Sequence, residues 1–211
     1  MNNQFDKTVF IVDDDSKIRD ALQWLFESIQ LPVETFISAT HFLESYTFDR
    51  PGCLIIDVRM PSMGGLELLE QLKLKKCPLP VIVITGHGDI PMAVRAMKAG
   101  AVDFISKPFN DQYLIDLIQE IFNQKPLPNT AIPSEKMMEC FTSLTPRERE
   151  ILLLLTEGKL NKQIAFDLSI SISTVEITRS KIMKKMQAKT LAHLIRNYVL
   201  IENTALEQQP A

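Results

Sequence analysis

Five short strand-like runs, each closed by polar, proline or glycine residues and each followed by helically spaced apolar residues, constrain this chain more than any other feature. The runs are Thr8–Val12, Val33–Phe36, Cys53–Ile56, Pro80–Thr85 and Val102–Ser106. Cys53–Ile56 shows no polar alternation, which fits a strand covered on both faces rather than one face of an exposed sheet. Behind the runs lie helical patterns. Ile18, Leu22, Leu25, Phe26 and Ile29 recur on one face, and further helices are expected over Ala39–Phe48, Leu66–Lys75, Met92–Ala99 (closed by Gly100) and Gln112–Phe122. Strand and helix in strict alternation imply an α/β fold: a doubly wound, five-stranded parallel sheet.

In such a sheet the carboxyl ends of the strands share one edge, where α/β proteins keep their ligand crevices. That edge receives Asp13 and Asp14 from the first run, Asp57 from the third, Thr85 from the fourth and Lys107 after the fifth. Taken singly, each has a bland reading: an acid at a strand end is often a helix cap, as Asp15 is expected to be, and a lysine is often a surface charge. Together they form a chemical set. Three crowded carboxylates repel one another and call for a cation, and hard oxygen donors suit Mg2+. Lys107 and the Thr85 hydroxyl are groups that grip the equatorial oxygens of a transferred phosphoryl, so Asp57 reads as nucleophile and phosphoacceptor.

The 211 residues, 45% hydrophobic and 23% charged, suit a soluble protein of two domains. No signal peptide or membrane span is evident, so a cytoplasmic protein is expected, and three scattered cysteines indicate neither a disulfide framework nor a zinc site. The charge is divided unevenly. Residues 1–141 hold 13 Lys and Arg against 19 Asp and Glu, whereas residues 142–211 hold 10 against 7. Most of the later excess lies in Lys159, Lys162, Arg179, Lys181, Lys184, Lys185, Lys189 and Arg196, a candidate phosphate-binding surface. Pro126, Pro128 and Pro133 mark a spacer. The expected organisation is an α/β domain over 1–123, a linker over 124–142, a second domain over 143–205 and a tail over 206–211.

The second domain reads as all-α with four helices. Thr145 caps the first, with Pro146 at its opening position and Glu148 placed for a capping box, and Gly158 ends it. Asn161–Asp167 is the second. The third runs from Ser173 to Met186, capped by Ser173 or Ser171, and the fourth from Thr190 to about Ile201. A helix, a tight turn and a polar, basic second helix describe a helix-turn-helix reader of double-stranded DNA.

These residues resemble two families. Asp13-Asp14, Asp57-Val-Arg-Met-Pro with Gly64-Gly65 behind it, Thr85-Gly-His-Gly-Asp, Met97-Lys-Ala-Gly-Ala-Val-Asp-Phe104 and Lys107-Pro108 resemble the receiver domains of bacterial two-component response regulators. Leu144-Thr-Pro-Arg-Glu-Arg-Glu, Gly158-Lys-Leu-Asn-Lys-Gln-Ile-Ala165 and Ser173-Thr-Val-Glu with Lys184-Lys-Met186 resemble the LuxR-type output domain. The whole chain looks like the FixJ/NarL group and leans toward FixJ. The receiver resemblance implies a Mg2+ site at Asp13, Asp14, Asp57 and the backbone carbonyl of Arg59, a cis Lys107–Pro108 bond, Phe104 as the aromatic that follows Thr85 inward, and His87 as a modest influence on phosphate lifetime. By position in the output domain, Glu176, Ile177 and Ser180 should face base edges, and Lys162, Thr174, Arg179 and Lys184 phosphates. One departure is Thr178, where most members carry His.

The resemblance implies a transcription factor rather than an enzyme with turnover. A sensor histidine kinase phosphorylates Asp57; the protein then forms a homodimer through the helix Pro91–Ala99 and the strand Val102–Ser106, binds DNA and engages RNA polymerase. A haloacid-dehalogenase-type phosphatase is a poorer fit, because Lys17 stands where that class needs Thr or Val. A receiver that only sequesters a protein partner remains a third class, separable by footprinting.

Overall fold

A computed structural model describes residues 7–47, 50–86, 89–123 and 135–207. His87, Gly88, the proline spacer 124–134 and the tail beyond 207 lie outside the described residues. Cα packing divides the chain into two compact units, residues 1–88 with 99–127 and residues 89–98 with 128–211.

The expected alternation is present: β1 (Thr8–Val12), α1 (Ser16–Glu27), β2 (Val33–Phe36), α2 (Ala39–Ser45), β3 (Gly52–Asp57), α3 (Gly65–Leu74), β4 (Val81–Thr85), α4 (Ile90–Ala99), β5 (Asp103–Ser106) and α5 (Asp111–Asn123). The strands are all parallel, in the order β2-β1-β3-β4-β5. Alternating residues face opposite layers. Val9, Ile11, Cys53, Ile55, Ile82, Ile84 and Ile105 pack with Leu22 and Phe26 of α1 and Leu114, Ile118, Ile121 and Phe122 of α5. Phe10 points into a separate aromatic cluster with Phe36, Phe42 and Tyr46, whose ring centroids lie 4.9–6.4 Å apart. Both faces are therefore dry, which explains why β3 carries no polar alternation. Helix α2 ends at Ser45, three residues short of the expected Phe48, and the Tyr46 amide closes it onto the Phe42 carbonyl.

The second unit carries α6 (Glu135–Thr142), α7 (Pro146–Thr156), α8 (Asn161–Asp167), α9 (Ile172–Lys185) and α10 (Leu191–Glu207). Helix α6 lies within the stretch taken from sequence as linker, so regular structure resumes at Glu135. The capping box of α7 forms as expected: the Glu148 amide donates to Thr145 Oγ1, and the Thr145 amide to Glu148 Oε2. Gly158 closes α7 with a φ of 86°, a left-handed conformation that glycine adopts without strain. The cap of α9 is Ser171, which accepts from the Thr174 amide, so the helix starts one residue before the expected Ser173. Ile151, Leu152, Leu155, Ile164, Val175, Ile182, Met186, Leu194 and Tyr198 form one core.

Candidate functional site: a carboxylate crevice and a basic helix-turn-helix

Parallel register sets the crevice. Val12 pairs with Ile56, Asp57 with Ile84 and Thr85 with Ser106, so Asp13, Asp57, Thr85 and Lys107 all arrive at one edge of the sheet. Asp13 and Asp57 are buried, at 4% and 8% exposure, and Thr85 is buried at 1%. The Lys107 ammonium donates to Asp13 Oδ2 at 2.9 Å and to Asp57 Oδ1 at 2.8 Å, bridging acids 94 and 50 residues away in sequence. The Lys107–Pro108 bond is cis, and the Lys107 amide donates to the Thr85 carbonyl at 2.7 Å, fixing the end of β5 to the end of β4.

The carboxylates are held from the backbone as well. Asp57 Oδ2 accepts from the Arg59 amide at 2.6 Å, and Asp13 Oδ1 from the Asp15 amide at 2.9 Å. Gly65 lets the chain turn back after β3, because a Cβ there would stand 2.1 Å from the Asp57 carbonyl oxygen. Burial holds the Asp13 carboxyl above its usual range, against the pull of the Lys107 and Asp15 hydrogen bonds. Burial also lowers the Lys107 ammonium, but hydrogen bonds and charge from Asp57 and Asp13 outweigh it and leave the group raised.

The donors suit a hard divalent cation: they are oxygen only, and an ammonium already sits between two of them. Among the described residues no three acidic, histidine or cysteine side chains stand close enough to cage an ion as they are, and Asp14 is exposed. Phe104 is buried at 8% exposure on β5, three residues before Lys107. One residue that sequence spacing did not single out also serves the crevice. Arg19, on α1, donates from Nη1 to the Asp13 carbonyl at 2.8 Å, a contact that leaves no signal in the sequence pattern.

The basic surface is sorted by the second unit. Lys162 on α8 and Thr174, Glu176, Ile177, Ser180 and Lys184 on α9 are at least partly exposed, while Arg179 is half-buried. Burial pulls the Arg179 guanidinium below its usual value, against the charge of Glu176. The Ser180 hydroxyl donates to the Glu176 carbonyl at 3.0 Å and the Thr178 hydroxyl to the Thr174 carbonyl at 2.8 Å, leaving their oxygens to accept. Among the cations counted from sequence, Lys159 and Lys185 are engaged within the unit. Lys159 pairs with Asp167 at 2.8 Å, and Lys185 pairs with Glu148 at 2.7 Å.

Comparison with known proteins agrees with both halves. A family model described as "Response regulator receiver domain" matches residues 9–119, and one described as "Bacterial regulatory proteins, luxR family" matches residues 142–198. The chain is similar to the response regulator protein TodT of Pseudomonas putida strain F1, 44% identical over 89% of this chain and 83% of that one. It is similar to the transcriptional regulatory protein FixJ of Bradyrhizobium diazoefficiens, 40% identical over 89% of this chain and 92% of that one. The crystal structure of full-length FixJ from B. japonicum is 38% identical, covers 93% of this chain and 98% of its own, and superposes with a TM-score of 0.52.

Proposed function

The chain belongs to the response regulators that join a receiver domain to a LuxR-type DNA-binding domain and regulate transcription, and from that premise we propose that phosphorylation of Asp57 is its switch. One observation carries the proposal: the Lys107 ammonium lies 2.8 Å from Asp57 Oδ1 and 2.9 Å from Asp13 Oδ2 at the carboxyl edge of the sheet.

An Asp57 carboxylate oxygen attacks the phosphorus of a phosphohistidine on a sensor kinase. The P–N bond breaks, and its electron pair stays on the imidazole nitrogen. Lys107 then moves its donors from carboxylate to phosphoryl oxygens, and the Thr85 hydroxyl supplies a second donor. Mg2+, held by Asp13, Asp14, Asp57 and the Arg59 carbonyl, would neutralise charge developing on the phosphoryl oxygens. The buried Phe104 follows Thr85, and the surface of α4 and β5 becomes the homodimer contact.

The output is DNA. Helix α9 enters the major groove, with Glu176, Ile177 and Ser180 at base edges and Lys162, Thr174, Arg179 and Lys184 at phosphates. The dimer then engages RNA polymerase in the cytoplasm; among the described residues no helix is long and apolar enough to cross a membrane. Acetyl phosphate with Mg2+ should add the mass of one phosphoryl group to the intact chain, and Asp57→Asn should abolish the addition. Equal labelling of the two would refute Asp57 as the acceptor.

A further inference from the structure

Charge counting places Lys185 with its neighbour Lys184 on the DNA surface. Geometry separates them. Successive residues on a helix are about 100° apart around its axis, so adjacent side chains serve different faces. Lys185 reaches back 37 residues: its ammonium donates to Glu148 Oε2 at 2.7 Å and to the Ser143 carbonyl at 3.3 Å.

We propose that Lys185 is a positioning residue that clamps the last turn of α9 to the first turn of α7, and that it takes no DNA phosphate. Glu148 is well placed to anchor such a clamp. It is 7% exposed, and the same Oε2 that receives Lys185 also accepts from the Thr145 amide at 2.8 Å, within the capping box of α7. The carboxylate is fixed by a backbone amide before the lysine arrives, which lowers the ordering cost of the pair. Hydrogen bonds from Lys185 and the Thr145 amide hold the Glu148 carboxyl below its usual range. Helix α7 grips the helix-turn-helix at a second point, where Arg147 Nη2 donates to the Leu168 carbonyl, in the turn between α8 and α9, at 3.0 Å. One helical turn of α7 thus holds both the turn that precedes α9 and the last turn of α9. Ser143, the residue that joins α6 to α7, takes part in the same junction.

The inference rests on α9 being the reading helix, and its test separates the two. The full chain, with acetyl phosphate and Mg2+ present, is titrated at several KCl concentrations against a duplex selected by the wild-type protein from a random pool. Each phosphate contact contributes about 0.9 to the slope of log affinity against log salt. Lys184→Ala should reduce the slope by about twice that amount, because each protomer of the dimer loses one contact; an unchanged slope would overturn the proposed phosphate surface, not the clamp. Lys185→Met should weaken binding about tenfold with the slope unchanged, and Lys185→Arg should restore it to within twofold. Glu148→Gln, which keeps an acceptor for the cap, should weaken binding similarly and add nothing to Lys185→Met. A slope reduced by about 1.8 in Lys185→Met, one contact per protomer, or affinity within twofold of wild type in both Lys185→Met and Glu148→Gln, would overturn the clamp.

Discussion

Asp13 carries a cost that the crevice imposes on the fold. Burial raises its carboxyl above the ordinary value of 3.8, so the folded chain holds that proton more tightly than the unfolded chain does. The corresponding stability is fully present below pH 3.8 and is lost as pH rises through the folded value. At pH 7 the ionised acid is therefore a net liability, although Lys107 offsets part of it. Asp13→Asn should be more stable than wild type at pH 7. The difference should shrink toward pH 4 in urea unfolding; a difference independent of pH would contradict the assignment. Lys107 runs the other way. Its raised value contributes stability that is present below 10.5 and lost as pH rises through the folded value, so it does not confound the acid range. The same bridge was partly legible in sequence: residue types and strand order brought Asp13, Asp57 and Lys107 to one edge. The support from Arg19 was not legible, because a guanidinium donating to a carbonyl leaves no periodic trace.

At the scale of elements, local chemistry decided boundaries that hydrophobic periodicity could not. Two serines competed to cap α9, and the Thr174 amide bonds to Ser171. Ser171→Ala should cost about 1 kcal/mol in unfolding free energy, whereas Ser173→Ala should cost a few tenths at most. Equal effects would contradict the cap. The loop after β3 is the tighter constraint. A methyl at Gly65 would meet the Asp57 carbonyl oxygen at 2.1 Å, so Gly65→Ala must displace the backbone that carries the phosphoacceptor. It should destabilise the receiver by about 3 kcal/mol or more in thermal or urea unfolding, at the upper end for single substitutions. Sequence marked this glycine as a turn residue, and the register of the loop gave it its weight. Strands β1, β3 and β4 were legible almost to the residue because strands covered on both faces leave apolar runs. Helix α6 was missed because the three prolines before it drew the linker boundary too far.

For the whole molecule, sequence charge pointed to two jobs, and it did not show that Lys159 and Lys185 pair with Asp167 and Glu148. Ion pairs across helices cannot be read from a count of cations. What joins the two jobs is a change of state: a phosphoryl group can alter DNA binding only through forms that differ in affinity for it. In the proposed scheme those forms are monomer and dimer, and a dimer reads two half-sites. Wild-type chain with acetyl phosphate should therefore sediment as a dimer, and Asp57→Asn as a monomer, at micromolar concentration. The most direct measurement of the switch is the affinity of wild type and Asp57→Asn for the selected duplex, with and without acetyl phosphate and Mg2+. Phosphorylated wild type should bind at least tenfold tighter than the unphosphorylated chain, with no response from Asp57→Asn; equal affinities for wild type in the two conditions, or an equal gain in Asp57→Asn, would contradict the switch.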